Sequence, residues 1–166
     1  MTGTEDFSGF EVIRAAMEIE KKGHRFYATM SEQAQNPLAR EVFSWLAQDE
    51  VQHLETLENL VPKFEEGAFW DDEEFFLPYL QRFSENKIFP SSERLRELLS
   101  HPEMDLRALD LAIEAEERFA DYFAKAAEHS RNENGREAFA WLAGEENRHA
   151  EVLKARKKKI LKEGAD

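Results

Sequence analysis

Cysteine is absent from the 166 residues, which excludes disulfides, thiol catalysis, iron–sulfur clusters and cysteine-ligated zinc. Also lacking is any apolar run long enough to span a membrane, and the opening MTGTEDFSGF has neither a basic n-region nor an apolar h-region. The expectation is a cytoplasmic protein with no membrane partner. Basic residues are scarce, 22 Lys and Arg against 35 Asp and Glu, for a formal charge of −13. That balance argues against a nucleic-acid partner and raises the local concentration of cations. No alternating strand pattern, glycine-rich phosphate loop or nucleophile triad is visible. What is present is a series of long amphipathic stretches, which predicts a single all-α domain over residues 1–166.

Stepping helically by three and four residues gives the seam Phe43, Leu46, Glu50, His53, Leu57, and again Phe139, Leu142, Glu146, His149, Leu153. Each is a core seam interrupted by Glu-x-x-His. Upstream, Ile13, Ala16, Glu20, Gly23, Tyr27, Met30 and Leu109, Ala112, Glu116, Phe119, Phe123, Ala126 each carry one inward glutamate. Every member of the first set maps onto the second by adding 96, and residues 15–58 match 111–154 without a gap at 16 of 44 positions, Arg40/Arg136 and Trp45/Trp141 among them. The chain therefore contains two copies of one helix pair.

Helix punctuation predicts hairpins over about 8–60 and 105–163. Ser8 is a candidate N-cap for a first helix to about Gln35, and Asn36-Pro37 breaks it and starts a second helix that runs to about Leu60. A third helix is expected after Asp105 as its cap, stopping near Asn134-Gly135, with a fourth running into the lysine-rich tail. Residues 61–104 are needed as a crossover if the second and third helices run parallel, because the chain must then travel roughly 35–45 Å along the bundle. Within it, residues 91–100 predict a short capped helix and residues 71–83 a second one. Its aromatics, Phe64, Phe69, Trp70, Phe75, Phe76, Tyr79 and Phe83, suit closing one side of the bundle or forming a homodimer contact.

The inward charges define the chemistry. Each ionised carboxylate left unpaired in a core costs several kcal/mol, against roughly 5–15 kcal/mol of stability for a whole domain. The seams offer no lysine or arginine at the matching level, whereas two divalent cations balance four carboxylates and neutral imidazoles complete their shells. Glu and His three apart share a helix face, and two such helices plus one Glu from each of the others make a di-metal carboxylate arrangement. Mixed oxygen and imidazole donors suit iron or manganese, with zinc as a substitute.

The pattern of Glu20 with Tyr27, LAQDEVQH, Glu116 and LAGEENRH resembles the rubrerythrin and ferritin-like di-iron proteins over residues 15–58 and 111–154. The resemblance implies a ferritin-like four-helix bundle with two irons per chain, held by Glu20, Glu50, His53, Glu116, Glu146 and His149, the bridging carboxylates being Glu50 and Glu146. Tyr27 matches the tyrosine that family members place beside the cluster and is the candidate catalytic residue. The implied activity is oxidation by hydrogen peroxide or dioxygen, with a ferroxidase or iron-storage protein, and a structural metal-binding bundle, as alternatives. Two departures stand out. No cysteine is present to build a rubredoxin-like centre, so an external electron-donor protein is expected, and Phe119 stands where rubrerythrins carry an extra carboxylate. The long crossover favours a small oligomer, expected to be a homodimer.

Other features read more plainly. His24 falls off the seam and is expected to be solvated, Trp45 and Trp141 are expected to be packing residues, and the basic residues of 154–162 are expected to complement the last helix dipole.

Overall fold

A computed structural model describes residues 9–65, 67–71, 77–78 and 89–165. Among the described residues the chain forms the α-helices α1 (Gly9–Gln33), α2 (Pro37–Glu58), α3 (Ser92–Leu99), α4 (Met104–His129) and α5 (Glu133–Ala165), with a 3-10 turn at Val61–Lys63. None of them is long and apolar enough to cross a membrane.

Helix directions follow from a few contacts. His24 meets Ala47 across the α1–α2 hairpin, and Lys157 meets Asp110 across α4–α5, as antiparallel neighbours joined by short turns. Trp45 lies beside His149 while His53 lies beside Trp141, so α2 and α5 are antiparallel. Tyr122 reaches Val12 while Asp105 reaches Gln35, so α1 and α4 are antiparallel too. Helices α2 and α4 consequently run in the same direction, and residues 61–104 are the crossover this requires. The molecule is an all-α, ferritin-like bundle of two duplicated hairpins.

The predicted seams line its core. Ile13, Ala16, Tyr27, Met30, Phe43, Leu46 and Leu57 are buried, as are Leu109, Ala112, Phe123, Ala126, Phe139, Leu142 and Leu153. Phe64, Phe69 and Trp70 from the crossover close one end: Trp70 Nε1 donates to the Gly9 carbonyl at 2.7 Å, and Arg131 N to the Phe69 carbonyl at 2.8 Å. The crossover's short helix is α3, capped by Ser91, whose hydroxyl accepts from Arg94 N at 3.3 Å. Ser8, Phe75, Phe76, Tyr79, Phe83 and most of the second helix predicted at 71–83 lie outside the described residues.

Two boundaries correct the sequence reading. Asp105 is already inside α4; its carboxylate accepts from Gln35 N at 3.1 Å and Asn36 N at 2.7 Å and so caps the α1–α2 turn instead. Asn134-Gly135 does not stop α4, which ends at His129, but lies in the first turn of α5. Asn132 Oδ1 accepts the Gly135 N–H at 2.9 Å as the cap of α5, just as Asn36 Oδ1, 96 residues earlier, accepts from Leu38 N at 2.8 Å for α2. Gly135 is there for close approach: a Cβ would lie 2.6 Å from the Phe69 ring and still nearer the Ser130 hydroxyl.

Candidate metal centre

Each inward charge is placed by its own helix. Glu20 comes from α1, Glu50 and His53 from α2, Glu116 from α4, and Glu146 and His149 from α5, and all six are at most 3% exposed. The structure brings them together at mid-bundle. His53 Nδ1 lies 3.5 Å from Glu20, 3.7 Å from Glu50 and 2.8 Å from Glu146. His149 Nδ1 lies 3.6 Å from Glu116, 3.6 Å from Glu50 and 3.5 Å from Glu146. Glu50 and Glu146 are thus shared, while Glu20 belongs with His53 and Glu116 with His149. Ligand atoms of Glu50, His53, Glu146 and His149 all lie within 4.8 Å of one another. The arrangement defines two positions, Glu20–His53 and Glu116–His149, spanned by two common carboxylates.

Whether these residues fit metal is tested by their hydrogen bonding. Among the described residues, the buried side-chain atoms left without a partner are both oxygens of Glu20, both of Glu146, Oε2 of Glu116, both nitrogens of His53 and Nδ1 of His149. Even the 2.8 Å approach of His53 to Glu146 is an ion-pair contact off the hydrogen-bonding direction. Native interiors leave few such atoms, because each costs roughly 1–3 kcal/mol and more when charged. Here they are confined to one cluster of hard oxygens and imidazole nitrogens, the donor set of a first-row divalent cation.

The electrostatics agree. Burial and the neighbouring Glu146 push the Glu50 carboxyl up to about 7. For Glu146, burial works in the same upward direction but is outweighed by the close approach and positive charge of His149 and His53, so it ionises below its usual range. Burial lowers the two histidines, yet the carboxylates outweigh it, raising His53 and taking His149 to about 11. In the metal-free protein the surrounding carboxylates therefore favour the protonated, positively charged form of both imidazoles.

Behind the cluster stand residues that the seam reading passed over. His149 Nε2–H donates to Asp49 Oδ2 at 2.5 Å, which leaves Nδ1 facing inward, and this bond holds Asp49 below the usual carboxylate range. Arg148 bonds Asp49 at 3.3 Å and Glu145 at 2.9 Å. Asp49 and Glu145 could have been found in sequence: each immediately precedes a seam glutamate, and they are an acid pair at the offset of 96. Tyr27, fully buried, donates from its hydroxyl to Glu116 Oε1 at 2.6 Å. Burial first, and then the Glu146 charge, keep its proton on well beyond the ordinary phenol range.

Phe89, another residue the sequence reading missed, enters from the crossover. Its ring centroid lies 5.9 Å from that of Tyr27 and 5.4 Å from that of Phe119. Gly23 makes room for it: a Cβ there would lie 3.2 Å from Phe89 and 3.7 Å from the Glu50 carboxyl carbon. An apolar wall of Phe89 and Phe119 thus covers the centre between α1 and α4, and among the described residues no seventh carboxylate enters there. The two tryptophans do more than fill space, since Trp45 meets His149 edge-on at 5.3 Å and Trp141 meets His53 at 5.5 Å. His24 is half-buried rather than solvated, its Nδ1 2.8 Å from the Ala47 carbonyl, which ties α1 to α2 one turn past Glu20.

A duplicated helical bundle whose core holds a shared carboxylate–histidine cluster is the signature of a ferritin-like metal carboxylate protein. More narrowly, the rubrerythrin family model matches residues 11–157, and the chain belongs to the rubrerythrin family. No curated protein and no solved structure matches it.

Proposed function

We propose that the chain is a non-haem di-iron oxidoreductase that reduces hydrogen peroxide or dioxygen and is re-reduced by an external electron-donor protein. The observation that carries this reading is the sharing of Glu50 and Glu146 by two histidine-bearing positions whose inward atoms are otherwise unsatisfied. Glu20 and His53 would hold one iron and Glu116 and His149 the other, with manganese or zinc able to substitute. Bound there, a ferrous pair would supply the two electrons, one from each iron, that cleavage of an O–O bond consumes.

The chain's own residues account for the rest. Glu50 and Glu146 hold the two positions at a common distance. Asp49 aims His149, and Tyr27 aims Glu116, so that Tyr27 acts through the carboxylate as a positioning residue. Phe89 and Phe119 keep bulk water from the α1–α4 side, which strengthens every electrostatic contact inside. Reduction of peroxide to two waters takes two electrons and two protons, and with no cysteine in these 166 residues to hold a second redox centre, the electrons must return from outside.

A ferroxidase is the second reading, favoured by Phe119: without an extra carboxylate the set of four glutamates and two histidines suits ferrous oxidation and iron handling equally. The test is stopped-flow oxidation of anaerobically loaded protein, with sedimentation alongside. Two irons per chain, fast oxidation by hydrogen peroxide, slower oxidation by dioxygen, repeated turnover only with a donor and a dimer-sized particle support the first reading. Uptake of many irons per chain in a shell-sized particle establishes the second, and failure to bind two metals removes both. We place the working protein in the cytoplasm.

A further inference from the structure

The six inward residues obey the internal repeat, but the groups packed behind them gather on one side. Behind Glu116–His149, Tyr27 donates to Glu116 and His149 donates to Asp49. Asp49 is in turn held by Arg148, whose guanidinium lies 5.2 Å from the Trp45 ring centroid and covers it. Ninety-six residues away, each of these devices is missing or diverted. Phe123 stands opposite Tyr27 and Gln52 opposite Arg148. Glu145, opposite Asp49, is drawn to Arg148 at 2.9 Å. Among the described residues Glu20 has no hydrogen-bond partner for either oxygen, and His53 Nε2 lies 3.9 Å from the nearest oxygens of Asp49 and Glu145, too far to donate. Trp141, opposite Trp45, has no arginine over it among the described residues and is 44% exposed.

We infer that the two positions are unequal: Glu116–His149 takes its metal first and retains it, while Glu20–His53 is filled second and is the exchangeable one. The reason lies in the outer groups. An imidazole whose far N–H is held by a carboxylate is a stronger, pre-aimed donor, and a carboxylate held by a tyrosine hydroxyl loses less freedom on binding. Removing such partners typically weakens metal affinity about 10–100-fold. This inference rests on the di-metal reading above.

The tryptophans supply a built-in assay, since Trp45 reports on His149 and Trp141 on His53. Metal-free protein is titrated anaerobically with Co2+ in competition with a chromophoric chelator, and tryptophan emission is followed in parallel. Two stepwise constants about 10-fold or more apart are expected. In Trp141→Phe, where Trp45 remains, quenching should accompany the first step; in Trp45→Phe, where Trp141 remains, it should accompany the second. Asp49→Asn should weaken the first constant about 10–100-fold and spare the second. Tyr27→Phe removes no charge and tests the same position from its carboxylate side, should Asp49→Asn fail to fold. Equal constants, the reverse order of quenching, or either variant acting on the second constant overturn the inference. Binding of fewer than two Co2+ ions overturns the di-metal reading beneath it.

Discussion

The two hairpins share every inward ligand and differ where the crossover or the opposite hairpin presses on them. Gly23 in the first corresponds to Phe119 in the second, and Ala39 corresponds to Gly135. Both glycines face an aromatic from residues 61–104, Phe89 in one case and Phe69 in the other. The crossover has no internal copy, so it meets each hairpin differently, and each hairpin has lost a side chain where an aromatic ring arrives. Likewise Tyr27 reaches Glu116 on the opposite hairpin while Phe123 cannot do the same for Glu20. The repeat has been kept where metal-binding chemistry would require two equivalent halves and abandoned where packing is asymmetric.

The largest effects should come from breaking what the halves share. Glu50→Ala and Glu146→Ala should each abolish tight binding of both metals, whereas Glu20→Ala should lose one; elemental analysis after anaerobic ferrous loading distinguishes them. Neither bridging variant need unfold the protein, because each also removes a buried negative charge. Retention of two metals by both variants would show that the bridging assignment is wrong.

Next in size is the contrast at the α2 and α5 starts. Gly135→Ala drives a methyl to within 2.6 Å of Phe69 and should destabilise by about 1–3 kcal/mol. Its counterpart Ala39→Gly should cost about 1 kcal/mol through helix propensity together with a small loss of buried area. Urea denaturation of the two variants checks the ranking; a neutral Gly135→Ala would mean that Phe69 yields freely.

The metal-free protein should also respond to pH with a definite sign. Glu50 is raised from 4.5 to about 7 and His149 from 6.5 to about 11. A group with a raised folded pKa contributes stability that is complete below its unfolded value and lost as pH climbs through the folded one. The unfolding free energy of the metal-free bundle should therefore fall from pH 6 to pH 9, by no more than about 1.4 kcal/mol per pH unit for each proton involved, and its melting temperature with it. Metal loading should oppose the fall, because ligands bind metal after losing protons and affinity rises with pH. Thermal melts across that range, with and without Co2+, would expose the error if the metal-free curve rose instead.

The smallest predicted effect is at His24, which has no polar counterpart in the second hairpin, where Ala120 stands. Its removal in His24→Ala breaks the bond to Ala47 and should cost about 0.5–1.5 kcal/mol with metal stoichiometry unchanged. A lost metal would instead make His24 part of the centre.

Much of this was legible from spacing. Glutamates in a helical core seam are anomalous wherever they occur, so the six inward residues and the duplicated bundle can be read without coordinates, whereas the pairing of Glu20 with His53 and of Glu116 with His149 came from the structure. Asn134-Gly135 misled because an asparagine–glycine pair ordinarily ends a helix; here the glycine admits Phe69 and an earlier asparagine caps the helix. Asp105 misled because a cap's sequence position does not reveal which helix end its carboxylate reaches.

By itself, the sequence determined the helical class, the internal repeat and the positions of the inward charges, because periodicity decides which residues share a face. Only the tertiary structure decided that His149 is held by Asp49 while His53 Nε2 has no hydrogen bond among the described residues, that Tyr27 serves Glu116, and that Phe89 covers the centre. Those contacts join residues on different helices, or on the crossover, and depend on the relative rotation and height of packed elements. A one-dimensional pattern carries no such information.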